Sequence, residues 1–319
     1  MFDIISVGSA TEDVFVHIPP KYLGERFVFV PGTKVEINEM NYFTGGGATN
    51  TSVAFARMGF KAAALCAIGD DESGKSVLQN LREEGVSTSL AEIKKGKKTS
   101  YSVILTGFGR DRVVLCYMKM AASLGKTLDT KKLNSKWLYI SSLHGNIPLL
   151  KKLASHAKKS KMKIAFNPGQ AELALGKGRI QEIFGRLEVL LLNKEEAIKL
   201  TGSGDIHRNL KHLLALANNV VITEGAHGSH ATNGELIYSV PSFKVTPVDA
   251  TGAGDAFGSG FVSAIIKGKS MPDALLWGTA NANSVILELG TKNVLLSPQK
   301  IGAFIKKYGK GSFAKPSKL

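Results

Sequence analysis

An α/β fold is predicted, with a mostly parallel central sheet sandwiched between helices and a small β-sheet lid on one side. Three observations carry this. From Trp137 onward, short apolar runs alternate with helical patterns, the signature of βαβ units. Two separated stretches, about 13–43 and 98–119, instead alternate apolar and polar residues, as strands with one covered face do. The 319 residues are 44% hydrophobic and 21% charged, ordinary values for a chain that buries a sizeable core.

The elements follow in order. Ile4 to Val7 is a continuous apolar run stopped by Gly8 and reads as a buried strand. Val14, Val16 and Ile18 alternate with their neighbours, and a second alternating stretch covers Lys34 to Phe43. After Gly45-Gly46-Gly47 the period changes. Val53, Phe55, Ala56 and Met58, closed by Gly59, predict a helix. Ala62 to Ile68 is the next strand, and Val77, Leu78 and Leu81, stopped by Gly85, mark a second helix. Tyr101–Thr106 and Arg112–Tyr117 flank Gly107-Phe-Gly-Arg-Asp111, a hairpin signal. Strands follow at 138–140, 163–166, 189–192 and 220–223, with helices near 147–158, 194–201 and 208–217. A hairpin turns at Asn233-Gly234, and helices cover about 253–266 and 273–288. One domain over 1–305 with a basic, flexible tail over 306–319 is the expected organisation.

Cys66 and Cys116 sit in apolar runs and read as free, buried thiols. The longest apolar run, Ala62 to Ile68, is far too short for a bilayer, and the first residues lack the basic start of a secretory signal, so no membrane association and a cytoplasmic location are expected. The net charge of +15 invites a nucleic-acid reading. The basic residues are dispersed, however, without interleaved aromatics or zinc spacing, so they read as solvated surface and no nucleic-acid partner is expected. The seven histidines form no metal pattern.

The segment Asp249-Ala-Thr-Gly252-Ala253-Gly254-Asp255 precedes an apolar helix. Its glycines permit a tight turn and close approach of a ligand. The free amides of the helix start then form an anion site, reinforced by the helix dipole. Asp255 in the first turn can accept the proton of an attacking hydroxyl while those amides hold a transferred phosphate. The plain alternative is a helix-capping carboxylate on a glycine-rich loop. A rival, Gly69-Asp-Asp-Glu-Ser-Gly74-Lys75-Ser76, formally satisfies the P-loop pattern. It is rejected because Asp70, Asp71 and Glu72 would put three negative charges where phosphates belong.

The Gly-Ala-Gly-Asp segment resembles the C-terminal signature of the ribokinase-like carbohydrate kinases of phosphofructokinase-B type, with Ala250 in place of the usual Thr. Gly45, Gly46 and Asn50 resemble the family's N-terminal Gly-Gly-x-x-x-Asn signature. The resemblance covers the chain to about residue 305. It implies a three-layer α/β/α fold and an ATP-dependent kinase acting on a hydroxyl of a sugar or sugar-like small molecule, with a nucleoside kinase as the alternative and a non-catalytic binder as a lesser one. It implies Asp255 as base and Gly252, Ala253 and Gly254 as the anion hole. Asp13, Gly45, Gly46 and Asn50 would bind the acceptor, although Asp13 also reads as a turn residue. Asn193 and Glu196 would order Mg2+ and phosphate, largely through water; Asn193 also reads as a helix cap, and it can be both. Thr223, Gly225 and Gly228 would lie along ATP, with Asn281 bordering adenine. A monovalent cation such as K+ would sit beside Asp249 and the carbonyls near Thr251 and Gly290, though Val294 stands where some relatives place a hydroxyl ligand. Gly47 and Thr11 depart from the Lys and Asn usual in ribose kinases, which sets ribose itself in doubt. The lid could pair with a second copy, making a homodimer.

Overall fold

The structure is a computed structural model and describes residues 1–19, 31–108, 111–309, 311 and 315–319. The tip of the expected lid hairpin (109–110), part of the first lid piece (20–30) and tail positions 310 and 312–314 lie outside the described residues.

The first third runs β1 (Phe2–Val7), β2 (Thr11–His17), β3 (Glu39–Gly45), α1 (Gly47–Arg57), β4 (Ala62–Leu65), β5 (Ala67–Gly69), α2 (Glu72–Glu83) and β6 (Glu92–Lys94). Next come β7 (Ser100–Phe108), β8 (Asp111–Tyr117), β9 (Ser135–Ile140), α3 (Ile147–Lys159), β10 (Lys163–Phe166), α4 (Gln170–Leu173) and α5 (Gly176–Phe184). They are followed by β11 (Leu187–Asn193), α6 (Lys194–Thr201), α7 (Ile206–Leu213), β12 (Ala217–Thr223), β13 (Ser229–Thr232) and β14 (Leu236–Val240). The chain ends with α8 (Ala253–Ile266), α9 (Met271–Val285), α10 (Pro298–Tyr308) and β15 (Lys315–Lys318).

A nine-stranded sheet has the order β15-β14-β13-β12-β11-β10-β9-β1-β4. Its pairs from β4 through β12 are parallel and those from β12 to β15 antiparallel. Alternation along the strands makes the three layers. Ile5, Leu138, Ile140, Leu190, Leu192 and Val220 pack under α3, α5, α6 and α7. Ile4, Trp137, Tyr139, Val189, Leu191 and Val221 pack against α1, α8, α9 and α10. Strands covered on both faces read as continuous apolar runs, which is why they were visible in the sequence.

From β1 the chain first builds β4 on one side and later β9 on the other. A reversal of this kind opens a crevice at the carboxyl ends of the strands. Gly8, Ser141, Asn193 and Thr223 all lie at those ends. The small sheet, in the order β3-β2-β7-β8, rises from the same end because β2 continues directly from β1.

Four expectations are corrected. The chain does not end in a free tail: α10 runs to Tyr308, and β15 pairs with β14 as the ninth strand. Its Pro and Lys residues suit an edge strand, where no further ladder is needed. Cys116 is exposed on β8, while Cys66 is buried and its thiol is pushed up to about 12 by burial. The strand expected over 62–68 breaks at Cys66 into β4 and β5, which belong to different sheets. The lid strand expected over 34–43 starts only at Glu39. Among the described residues, no helix is long and apolar enough to cross a membrane.

Candidate active site

α8 begins at Gly252, whose φ of 81° is reached easily only by glycine. A Cβ there would come within 2.8 Å of Thr291. The first intrahelical bond of this turn is Ala256 N to Gly252 O, 2.9 Å, so the amides of Gly254 and Asp255 precede the ladder and face outward. Nothing stands within 4 Å of where a Gly254 side chain would be. A ligand can therefore lie directly on this backbone. Asp255 is half-buried, and its Oδ2 accepts a hydrogen bond from Asn50 Nδ2 at 2.8 Å. Burial pushes its carboxyl up to about 6, against the opposing pull of Asn50 and of the Lys292 charge.

The Gly45–Gly47 turn brings α1 to this place. Gly46 has φ 95°, and a Cβ on it would strike the Ser9 carbonyl at 2.6 Å. A Cβ on Gly45 would lie 1.8 Å from Asp13 Oδ2, so glycine here is what lets the Asp13 carboxylate in. A Cβ on Gly47 would meet Ser141 Oγ at 2.3 Å, which explains physically why no lysine follows the glycine pair. Asp13 is buried on β2, facing the same side as Phe43, its cross-strand partner on β3. Burial raises its carboxyl, with hydrogen bonds from Thr11 and Ser102 and the Lys292 charge working the other way. Thr11 is thus an Asp13 partner. Phe15, on the same face, meets Phe43 edge-on at 5.5 Å. A cavity of about 360 Å3 beyond them is lined by Phe15, His17, Asn41, Arg112, Asp249 and Leu289, among others.

On the opposite flank, Asn193 and Glu196 form a reciprocal cap of α6. Glu196 N donates to Asn193 Oδ1 at 2.9 Å, and Asn193 N donates to Glu196 Oε2 at 2.8 Å. Burial raises the Glu196 carboxyl, opposed by its bond from the Asn193 amide. A cavity of about 120 Å3 is lined by Asn193, Glu196, Thr223, Gly254 and Phe257, with Asn167, Leu191, Leu192 and Val221. It joins this cap to the start of α8. Thr223 lies opposite Asn193 across the β11–β12 ladder. Gly225 and Gly228 have φ of 55° and 108°, and a Cβ on Gly228 would strike Val240 O at 2.2 Å. Just before Gly225, Glu224 is held by Lys194 at 2.7 Å and His230 at 3.0 Å.

Asn281, expected beside adenine, sits in the packing between α9 and its neighbours. It is fully buried; its Nδ2 donates to Ala256 O at 2.7 Å and its Oδ1 accepts from Leu296 N at 3.0 Å. Both ends of the amide are spent on backbone, fixing α8 against the segment after α9. Asp249 accepts from Thr251 Oγ1 at 3.0 Å and lies 3.8 Å from Arg112. Its Oδ2 is buried with no hydrogen-bond partner among the described residues.

Two site neighbours carried no sequence signal. Thr291 Oγ1 donates to Asn50 Oδ1 at 2.7 Å, and Lys292, buried beside it, donates to Thr44 O. The rejected P-loop is closed by its own acids: Asp71 Oδ1 caps Gly74 N at 3.1 Å, and Lys75 extends to solvent, paired with Glu72.

The candidate site thus holds one carboxylate, Asp255, beside the outward-facing amides of α8, with a second, Asp13, on β2 of the small sheet. A family model for the pfkB family carbohydrate kinases matches residues 1–298, and the chain belongs to that family. It is a phosphotransferase of the carbohydrate-kinase type. Relatives in sequence include a nucleoside kinase of Methanocaldococcus jannaschii, 25% identical over 279 residues, 87% of this chain and 90% of the relative. A ribokinase of Haemophilus influenzae is 25% identical over 317 residues, 94% and 97% of the two chains. Among solved structures, the adenosine kinase of Sinorhizobium meliloti superposes with a TM-score of 0.80 at 20% identity, covering 96% of this chain and 99% of that one. The Arabidopsis thaliana ribokinase, solved with ribose and ATP, gives 0.78 at 17% identity, covering 96% and 99%.

Proposed function

We propose that this protein transfers the γ-phosphate of ATP to a hydroxyl of a free sugar or sugar-like polyol. The observation that carries the reading is the approach of Asn50, Asp255 and the open amides of Gly254 and Asp255 to one point. Asp255 takes the proton of the acceptor hydroxyl as its oxygen bonds to the γ-phosphorus and the bond to ADP breaks. The open amides of Gly254 and Asp255 hold the charge that develops on the transferred group, while the expected Ala253 amide is already bonded to Ala250 O at 3.3 Å. Asp13, Gly45, Gly46 and Asn50 bracket neighbouring hydroxyls with small or polar groups, since each hydroxyl needs a donor and an acceptor.

Asn193 and Glu196 offer one amide and one carboxylate, and among the described residues no cluster of three or more acidic, His or Cys side chains could hold a metal. That donor set fits Mg2+, which keeps most of its ligands as water and phosphate oxygens and neutralises phosphate charge when bound. Thr223, Gly225 and Gly228 supply the backbone track for the nucleotide. The unpartnered Asp249 Oδ2 suits a monovalent cation, with Arg112 as its competitor there. The outer face of the lid exposes Met40, Tyr42, Val113, Leu115 and Tyr117, a surface that a second copy of the chain would cover.

A nucleoside acceptor is the second reading, favoured by Phe15 and Phe43 on the Asp13 face and by the cavity beyond them. A coupled ADP-release screen over hexoses, pentoses, deoxy-sugars, sugar acids, adenosine, inosine and cytidine decides between them by kcat/KM. A nucleoside exceeding every sugar tenfold would overturn the sugar assignment and leave the kinase intact.

A further inference from the structure

Lys292 is 6% exposed, an unusual setting for an ammonium. Taking such a charge out of water costs several kcal/mol unless well-placed partners offset it. Its immediate contacts are neutral oxygens: it donates to the Thr44 carbonyl and lies 3.4 Å from Asn50 Oδ1. Thr291 Oγ1 donates to the same Oδ1 at 2.7 Å. On the other end of that carboxamide, Nδ2 donates to Asp255 at 2.8 Å.

A carboxamide can present either end to its neighbour. If Asn50 turned over, its oxygen would face the Asp255 carboxylate and its NH2 would face Thr291 and Lys292, an arrangement of like against like on both sides. Two donors on the Oδ1 side forbid this. We propose that Lys292 is a positioning residue for phosphoryl transfer: it locks Asn50 in the orientation that serves Asp255, and it brings a positive charge to the Asp13–Asp255 pair. The inference rests on reading Asp255 as the base.

The electrostatics agree with the geometry. Burial pushes the Lys292 ammonium down to about 7; Asp13 on β2, Asp255 on α8 and Glu84 after α2 hold it up, and Arg57 on α1 pushes it further down. Arg57 is engaged by Glu84 at 2.6 Å, so it screens rather than replaces the lysine charge. The charge of Lys292 in turn holds the carboxyls of Asp13 and Asp255 below where burial alone would put them. Turnover should therefore fall on the acid side as Asp255 takes a proton.

The test is kcat and kcat/KM against pH for the wild type, Lys292→Gln, Lys292→Arg and Thr291→Val. In Lys292→Gln the acid limb of kcat/KM should move up, and kcat near pH 6.5 should drop at least tenfold. Lys292→Arg should return the acid limb and kcat toward their wild-type values, because the guanidinium restores both the donor and the charge. Thr291→Val should lower kcat and move the acid limb up by less than Lys292→Gln does, since Asn50 loses one of its two locking donors while the charge remains. A Lys292→Gln enzyme with a wild-type acid limb and kcat within twofold overturns the proposal. Should that variant not fold, a Lys292→Met enzyme, which fills the same space without charge or donor, showing a wild-type acid limb and kcat within twofold overturns it equally. Turnover near normal in Asp255→Asn would instead sink the underlying base assignment, so the two failures are distinguishable.

Discussion

Replacing Asp255 by Asn should act on activity and stability in opposite directions, and the site supplies both magnitudes. Asn is isosteric and can keep its place beside Asn50, but it cannot take the acceptor's proton. A positioned base contributes roughly 10²–10⁴-fold, so kcat should fall by that factor while ATP still binds. Burial pushes the wild-type carboxyl up to about 6 in the free enzyme. At pH 5 only about a tenth of it is then ionised, so wild-type kcat/KM should be about tenfold below its value well above that pH. The residual rate of Asp255→Asn should lose this acid limb. The stability sign follows from the raised carboxyl. Between the ordinary 3.8 and about 6, the folded state holds a proton that the unfolded state has released, so the contribution of this group falls as pH rises through that window and is flat above it. The shift of about 2 units corresponds to at most about 3 kcal/mol. The partners Asn50 and Lys292 lose interactions in the variant and reduce that gain. Asp255→Asn should therefore melt higher than wild type at pH 8, with the difference disappearing by pH 4. Steady-state rates from pH 4.5 to 9 and melting curves at the two ends give the answer. Near-normal turnover, or a variant less stable at pH 8 than at pH 4 relative to wild type, would refute the reasoning.

Two further outcomes follow from groups around the site. If a monovalent ion neutralises the Asp249 Oδ2, replacing K+ by tetramethylammonium should lower kcat at saturating Mg-ATP several-fold; unchanged turnover would mean that Arg112 suffices there. If the apolar outer face of the lid is covered by a second copy, sedimentation at micromolar concentration should give a dimer, and Leu115→Lys should shift it to monomer; a monomeric wild type would remove the proposal.

How much the sequence disclosed depended on the range over which each feature is determined. The core strands and their covering helices were legible because every residue of a doubly covered strand must be apolar, and because α8 and α9 carry their own start signals. α4 and α5 were missed: Gly169, Gly176 and Gly178 mark this stretch as a loop by local propensity, yet Leu173 and Ile180 bury into the sheet's helical layer and hold it as helix. β15 was missed for the same kind of reason. Nothing in Lys-Pro-Ser-Lys favours a strand, and only the open edge left by β14 makes it one. At the candidate site, the turn into α8 was legible because a positive φ at Gly252 favours glycine, whereas Gly45 and Gly46 were picked out by their resemblance to the family signature. Lys292 was not, because its meaning is wholly tertiary. One step along the chain from Thr291 it reads as another surface lysine among 41 basic residues. Only the folding of the segment after α9 beneath Thr44 and Asn50 turns it from a solvated charge into a buried one. Asn281 shows the converse. Its place on the last long helix invited a ligand role, but two backbone partners more than ten residues away in sequence claim its amide entirely. A polar residue on a helix is a candidate contact only until its hydrogen bonds are counted, and that count needs the packed neighbours.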